Sequence, residues 1–229
     1  FQTKNEVLTL ATSGTGAMDA AVCNVLKRGD VVITVNGGKF GARWAKICEV
    51  YGVRAVDVFV ERGCGVQIAQ LEEAFAANPK ARAILFQASE TSTGALMPTR
   101  QICQFARAKG LLSVCDAITA CGVFNLPMDE WEIDVLITGS QKALMIPPGL
   151  AFIALSQKAW AAAEQSDLPK FYLDLRKELK AQVKNQSAWT PATSLIQGLQ
   201  VALAMIRTET LPKIFARHDL LARATRAWV

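Results

Sequence analysis

The chain has 229 residues, of which 51% are hydrophobic and 20% are charged, and its formal net charge is +5. This composition is typical of a globular protein with a sizeable core and excludes disordered, collagen-like and low-complexity chains. The longest apolar runs fall short of the roughly 18 residues of a membrane helix, and the interspersed charges favour a small anionic ligand over nucleic acid or a membrane.

Short β-branched runs alternate along the chain with longer runs of helical periodicity. The predicted strands are residues 7–11, 31–35, 55–60, 83–87, 112–115, 135–138 and 150–155. The predicted helices are residues 17–27, 41–51, 68–76, 99–108 and 157–165. Such alternation requires crossover connections, so it predicts an α/β fold in which helices cover both faces of a mostly parallel sheet of seven strands.

The pattern changes near Asp167, after which only helices and loops are predicted. An amphipathic stretch covers residues 171–183, and a long helical segment, interrupted at Pro212, runs from the loop at 185–191 to the end. We therefore expect a large domain at 1–190 and a helical arm at 191–229. Neither end of the sequence carries a clear terminal signal, so we expect a piece of a longer protein.

The cysteine and histidine content argues against several kinds of metal and catalytic site. The six cysteines form no C-x-x-C pair and no zinc-type spacing, so we expect reduced thiols and a cytoplasmic protein without a bound metal. His218 is the only histidine, which argues against a Ser-His-Asp hydrolase and against a multi-histidine metal site.

Ligands of open α/β sheets bind beyond the carboxyl ends of the strands, and the first strand is followed there by a glycine-rich turn. This turn contains Ser13, Gly14, Thr15 and Gly16 and opens the first predicted helix. Free backbone N–H groups and two hydroxyls at a helix N-terminus suit a phosphate. An ordinary turn with a serine cap explains the same residues equally well.

Two charged residues follow later strands. Asp116 comes directly after an apolar strand, where a helix N-cap is the simpler interpretation. Lys142 has no acid near it between Asp134 and Glu164, which indicates a desolvated amine nucleophile or, alternatively, a structural lysine with an exposed amine. A phosphate site, an acid and an isolated lysine together match the requirements of pyridoxal phosphate.

Four segments around these residues resemble the class V aminotransferases, which are fold type I enzymes that use pyridoxal phosphate. They begin at Ser13, Glu90, Asp116 and Gly139 and read SGTGAM, ETSTG, DAIT and GSQKA. The similarity is greatest to the serine–glyoxylate and alanine–glyoxylate aminotransferase branch. It covers essentially the whole chain as the large domain, with seven strands, and implies that a small C-terminal domain is missing.

The resemblance implies a role for each matching residue. Lys142 would carry the cofactor as a Schiff base and move the proton, while Asp116 would pair with the pyridine nitrogen. The cofactor phosphate would be bound by Ser13, Gly14, Thr15 and Gln141. Ile118 and Phe40 would pack on the two ring faces, and Thr91 would lie near the ring hydroxyl. Taken singly, Phe40 would be a core residue and Thr91 a turn residue.

The resemblance also implies a homodimer, because Thr190 matches a residue that reaches the phosphate of the neighbouring subunit. Thr190 before Pro191 also fits the cap and first residue of the final helix. Cysteine desulfurases carry histidines where this chain has Gln141 and Phe40, which argues against that activity. The sequence therefore predicts transfer of an amino group from serine or alanine to an oxo acid such as glyoxylate. A class V lyase and a phosphate-binding module without catalysis are the alternatives.

Overall fold

The apolar runs form strands and the amphipathic runs form helices in the computed structural model, which describes residues 1–228. The strands are β1 (Val7–Leu10), β2 (Val31–Asn36), β3 (Arg54–Phe59), β4 (Ala83–Gln87), β5 (Ser89–Glu90), β6 (Ala95–Leu96), β7 (Leu112–Asp116), β8 (Val135–Gly139) and β9 (Ala151–Leu155). The helices are α1 (Gly14–Val25), α2 (Gly41–Val50), α3 (Ile68–Ala77), α4 (Thr99–Ala108), α5 (Gln157–Gln165), α6 (Leu175–Gln182), α7 (Thr193–Glu209) and α8 (Leu211–Trp228).

Seven strands form one sheet in the order β1-β9-β8-β7-β4-β2-β3. The pairs from β8 to β3 are parallel, whereas β9 is antiparallel to both β8 and β1. The predicted α/β class and mostly parallel sheet are therefore confirmed. Because six strands run in one direction, their carboxyl ends meet along the same edge of the sheet.

Helices cover both faces of the sheet, and alternate strand residues enter two separate hydrophobic cores. Val32 and Leu85 face the core on the side of α1, α2 and α5, while their neighbours Ile33 and Phe86 face the core on the side of α3 and α4. All residues of β4, β7, β8 and β9 are buried. Burial on both faces explains why these strands read as continuous apolar runs.

Several bounds differ from the prediction, and three of the differences have a clear physical reason. Helix α1 begins at Gly14, three residues before the predicted start, so the glycine-rich turn forms its first turn. The short ribbon of β5 and β6 closes over Gly94, whose φ of 72° favours glycine, and was not predicted. The last helical segment breaks at Thr210, with φ of 72°, because Pro212 fits the first turn of a new helix better than a helix interior.

Helices α7 and α8 occupy most of the predicted helical arm. They pack on each other, and Ala202 and Ile214 are their buried residues. Arg217 of α8 pairs with Glu209 of α7 through two hydrogen bonds of 2.7 and 2.9 Å, which bridge the break at Thr210. None of the helices described within residues 1–228 is long and apolar enough to cross a membrane.

Candidate active site

The N-terminus of α1 has unpaired backbone donors. Ser13 is the N-cap residue by position, yet its side chain makes no capping hydrogen bond. The first helical hydrogen bond runs from the N–H of Ala17 to the carbonyl of Ser13, at 3.2 Å. Within residues 1–228 the N–H groups of Gly14, Thr15 and Gly16 have no acceptor. The turn therefore lacks the side-chain cap of the alternative interpretation and presents three donors to an anion.

Gly14 is the point at which three of the sequence segments meet. A Cβ on Gly14 would overlap the Cδ1 atom of Ile118, two residues after Asp116. A Cβ on Gly139 would lie 3.6 Å from the backbone nitrogen of Gly14 and 3.0 Å from Oε1 of Gln141. The Gln141 side chain thus folds back over Gly139 beside the N-terminus of α1. A side chain at position 14 would displace Ile118, so the three segments approach one another closely at Gly14.

Asp116 ends β7 and is 5% exposed. Its Oδ1 accepts a hydrogen bond from the backbone N–H of Ile118 at 2.8 Å, which is the one hydrogen bond of this carboxyl within residues 1–228. Burial and, to a smaller extent, the charge of nearby Glu90 raise the pKa of Asp116 to about 6, against the opposing effects of the Ile118 N–H and the charge of Arg43. A turn, not a helix, follows Asp116, so the N-cap interpretation is wrong.

Lys142 lies on the loop that connects β8 to β9. Buried Ser140 anchors this loop, because its Oγ donates to the carbonyl of Pro147 at 2.8 Å and accepts from the N–H of Leu150 at 3.2 Å. Lys142 itself is exposed, so the predicted desolvation of its amine is wrong. Although no acid is near Lys142 in the sequence, Glu209 of α7 lines the same cavity of about 360 Å³ as Lys142. Sequence separation therefore did not indicate the surroundings of the amine.

The N-terminus of α2 brings a cation and an aromatic ring to the site. Nη1 of Arg43 donates to Oγ1 of Thr15 at 2.7 Å, and the Arg43 guanidinium lies 5.0 Å from the centre of the Phe40 ring. Arg43 therefore links the first turn of α1 to the residue predicted to stack on a cofactor. Phe40 is half-buried and belongs to neither of the two hydrophobic cores.

Of two further predicted residues, Thr91 lies beside the cavity that contains Lys142 and Thr190 lies in another cavity. Thr91 is exposed on the β5–β6 turn, and its Oγ1 donates to Oγ1 of Thr119 at 3.2 Å. Thr119 also lines the cavity that contains Lys142. Thr190 is exposed in a separate cavity of about 610 Å³, next to Trp189. Because α7 begins at Thr193 with Ala192 as its N-cap residue, the predicted cap at Thr190 is wrong.

Sequence reasoning assigned no role to Glu90 or Arg43. Glu90 is fully buried at the end of β5 and binds the turn that carries Phe40. A signal was present in the sequence, because a carboxylate three residues after the apolar strand β4 needs hydrogen-bond donors nearby. Arg43 carried no such signal, since its contact with Thr15 depends on the packing of α2 against α1.

The residues that meet at this edge of the sheet fit pyridoxal phosphate. Three unpaired N–H groups and two hydroxyls suit its phosphate, and the weakly hydrogen-bonded Asp116 carboxyl suits its pyridine nitrogen. Lys142 supplies the amine that this cofactor requires, on a loop anchored at the same strand ends. The four buried cysteines Cys23, Cys48, Cys103 and Cys115 are free thiols and lie within the helices and the sheet.

Comparison with known proteins agrees with this geometry. The family model of the class V aminotransferases matches residues 1–227. The chain is 42% identical to the soluble hydrogenase small subunit of Synechococcus and 34% identical to the L-aspartate–glyoxylate aminotransferase of Paracoccus denitrificans. Each alignment covers 99% of this chain but 60% and 58%, respectively, of the relative.

A solved structure shows the same fold. The alanine–glyoxylate aminotransferase of Nostoc superposes with a TM-score of 0.93 at 26% identity, over 97% of this chain and 60% of that one. The chain therefore spans about three fifths of the length of the relatives that it matches. From the family model, the identities and the shared geometry, the chain belongs to the class V aminotransferases, whose cofactor is pyridoxal phosphate.

Proposed function

We propose that this protein is an aminotransferase that moves the amino group of a small amino acid, serine or alanine, to an oxo acid such as glyoxylate. Two of the relatives carry glyoxylate in their names, which supports the acceptor. Their names differ in the donor, aspartate in one and alanine in the other, so the choice of serine or alanine is the finer part of the proposal.

The observation that carries the proposal is the meeting of three strand ends at Gly14. The first turn of α1, the segment after Asp116 and the loop before Lys142 touch there through Ile118 and Gly139. An anion site, an acid and an amine at one edge of a sheet meet the needs of one cofactor. A binding module for a phosphate ligand would need only the first of them.

Each residue then has a defined task. Bound pyridoxal phosphate supplies an electron sink for the negative charge that develops on the α-carbon of the amino acid. Lys142 Nζ would hold the cofactor and, once released by the substrate, take the proton from that carbon as a general base. Asp116 would hold the proton on the ring nitrogen. The Ser13 and Thr15 hydroxyls would bind the phosphate.

The remaining ligands act around the ring. In the proposal, the N–H groups from Gly14 onward and the amide of Gln141 complete the phosphate site. Phe40 and Ile118 pack on opposite faces of the ring, and Thr91 binds near its hydroxyl group. These contacts would fix the ring so that the bond to be broken stays aligned with its π system.

The assembly is also part of the proposal. We propose a homodimer in which Thr190 of one subunit reaches the phosphate bound by its partner, supported by the separation of the Thr190 cavity from the Lys142 cavity. Residues 1–190 would form the cofactor-binding domain, and 191–229 would lead to a small domain. Free thiols throughout residues 1–228 support a cytoplasmic location.

The cofactor assignment is tested by chemical trapping. Purified protein is incubated with pyridoxal phosphate, reduced with borohydride, digested and mapped by mass spectrometry. We expect a phosphopyridoxyl group on Lys142 and its loss in Lys142→Ala, with Lys46→Ala, an exposed lysine on α2, as the matched control. An adduct spread over exposed lysines, unchanged in Lys142→Ala, would contradict the proposal in favour of simple phosphate binding.

The substrates are tested separately. With cofactor bound, serine or alanine plus glyoxylate should yield glycine and the corresponding oxo acid in equal amounts. Aspartate serves as the competing donor, because one relative is named for it. Faster glycine formation from aspartate would overturn the choice of donor, and loss of the amino group as free ammonia would favour the lyase.

A further inference from the structure

Glu90 is a buried carboxylate that has no part in the proposed transfer of the amino group. Its exposed fraction is 0%, and it ends β5, immediately before Thr91. A carboxylate removed from water is strongly destabilised unless donors surround it, so its hydrogen bonds indicate what it holds.

Both oxygens of Glu90 accept several hydrogen bonds. Oε1 accepts from the backbone N–H of Phe40 at 3.3 Å and from the N–H and hydroxyl of Ser92 at 3.1 and 2.6 Å. Oε2 accepts from the backbone N–H of Gly41 at 2.9 Å and from Nε2 of Gln87 at 3.1 Å. One side chain thus ties the start of α2 to the turn between β5 and β6.

The fit between Glu90 and the α2 turn is close. A Cβ on Gly38 would lie 2.8 Å from Cδ of Glu90. A Cβ on Gly41 would lie 2.6 Å from Nε2 of Gln87, which donates to the same carboxylate. Side chains at either position would push the turn away, so the two glycines and Glu90 form one packed unit.

Glu90 is held in its ionised form. Burial alone would raise the pKa of Glu90, but the hydrogen bonds from Ser92, Gly41 and Phe40 outweigh burial and lower it. A negative charge is required for this arrangement, because all five donors point at oxygen atoms. A neutral glutamine would turn its NH₂ group toward donors in either orientation.

We propose that Glu90 is a positioning residue for the cofactor, which holds the Phe40 ring in its stacking place by fixing the backbone at the start of α2. Arg43 lies against one face of the Phe40 ring, so the other face is the one assigned to the cofactor. The inference rests on the proposed function, since it requires pyridoxal phosphate as the occupant of the site.

The test is a double-mutant cycle read out as the dissociation constant of pyridoxal phosphate, followed by its absorbance and induced circular dichroism. The proteins compared are wild type, Glu90→Gln, Phe40→Ala and the double variant. We expect Glu90→Gln to weaken cofactor binding about tenfold, as for loss of charged hydrogen bonds. In the Phe40→Ala background the same change should have almost no further effect, because Glu90 acts through Phe40.

Asp134→Asn is the matched control, since Asp134 is also a buried carboxylate, 7% exposed, but accepts from the N–H of Ser113 and the hydroxyl of Ser156 directly before β8, at the sheet edge opposite the site. If Glu90→Gln does not fold, Ser92→Ala removes the hydroxyl hydrogen bond to Glu90 Oε1 and keeps the charge, and it should weaken binding in the same direction. Equal effects of Glu90→Gln with and without Phe40 would overturn the inference. Failure of the wild type to bind pyridoxal phosphate would instead overturn the proposed function.

Discussion

Two buried carboxylates near the site have pKa values shifted in opposite directions because they differ in hydrogen bonding. Glu90 accepts from five donors and has a lowered pKa, although burial opposes this. Asp116 accepts from one, and burial raises its pKa to about 6. Within residues 1–228 the Asp116 carboxylate therefore has room for a further hydrogen-bond donor, which a protonated ring nitrogen would supply. The Glu90 carboxylate already has donors for both of its oxygens.

Asp116→Asn should stabilise the protein without cofactor at neutral pH. With a folded pKa near 6 against 3.8 in the unfolded chain, wild type binds more protons when folded, so its stability falls as the pH rises between these values. The shift corresponds to about 3 kcal/mol above pH 7. Asparagine keeps an oxygen for the N–H of Ile118 and has no charge to bury.

The measurement is urea unfolding of both proteins from pH 4 to pH 8. The difference in free energy of unfolding should grow in favour of Asp116→Asn from pH 4 to about pH 7 and then level off. A difference that does not change with pH would contradict the raised pKa. The same variant should bind pyridoxal phosphate more weakly, which separates its gain in stability from its loss of function.

At the scale of elements, the start of α2 depends on a close approach to the sheet. A Cβ on Gly41 would lie 2.6 Å from the backbone carbonyl oxygen of Val35 in β2, which cannot move aside as a side chain can. Gly198, inside α7, differs, because its Cβ would lie 3.5 Å from Cγ2 of Ile146, an ordinary contact.

Gly41→Ala should therefore destabilise the protein by about 1–3 kcal/mol, as overpacking does, and disturb Phe40 next to it. Gly198→Ala should stabilise it by up to about 1 kcal/mol, the usual difference in helix propensity. Thermal unfolding of the two variants beside wild type measures the expected loss of stability in Gly41→Ala and the expected gain in Gly198→Ala. Destabilisation by both changes to the same extent would show that the space around Gly41 is not the cause.

The elements themselves were largely predictable, since burial on both faces leaves continuous β-branched runs and amphipathic periodicity marks the helices. Helix α4 and strand β4 have the predicted bounds, Thr99–Ala108 and Ala83–Gln87. The ribbon of β5 and β6 was missed because two-residue strands carry no periodicity. The start of α1 was placed late because glycines were assigned to a turn, although a first helical turn tolerates them.

At the scale of the molecule, contacts between distant segments were beyond sequence reasoning. Lys142 was expected to be desolvated from its sequence neighbours, yet Glu209 of α7 lines its cavity and its side chain is exposed. Arg43 reaches Thr15 only because α2 packs beside α1. The resemblance predicts the ligands, and the segments that carry Gly14, Ile118 and Gln141 meet at one edge of the sheet. The residues that hold these segments in place required the fold.

Several large apolar side chains on α7 are exposed to solvent, and the proposed dimer would explain their exposure. Val201 is 62% exposed and Met205, one helical turn later, is 57% exposed, with Leu203 and Ile196 nearby also exposed. An apolar face of this kind on a charged, globular chain marks an interaction surface. In the proposed dimer this face of α7, which follows Thr190, is covered by the partner subunit.

The double change Val201→Glu and Met205→Glu should therefore convert a dimer to a monomer, because two charges would have to be buried without partners. Sedimentation velocity of wild type and variant measures the change in mass. Val50→Glu is the matched control, since Val50 is 80% exposed at the end of α2 and should leave the dimer intact. If all three proteins sediment as dimers, the α7 face is not the interface. A monomeric wild type would contradict the dimer itself and, with it, the proposed reach of Thr190 into the neighbouring site.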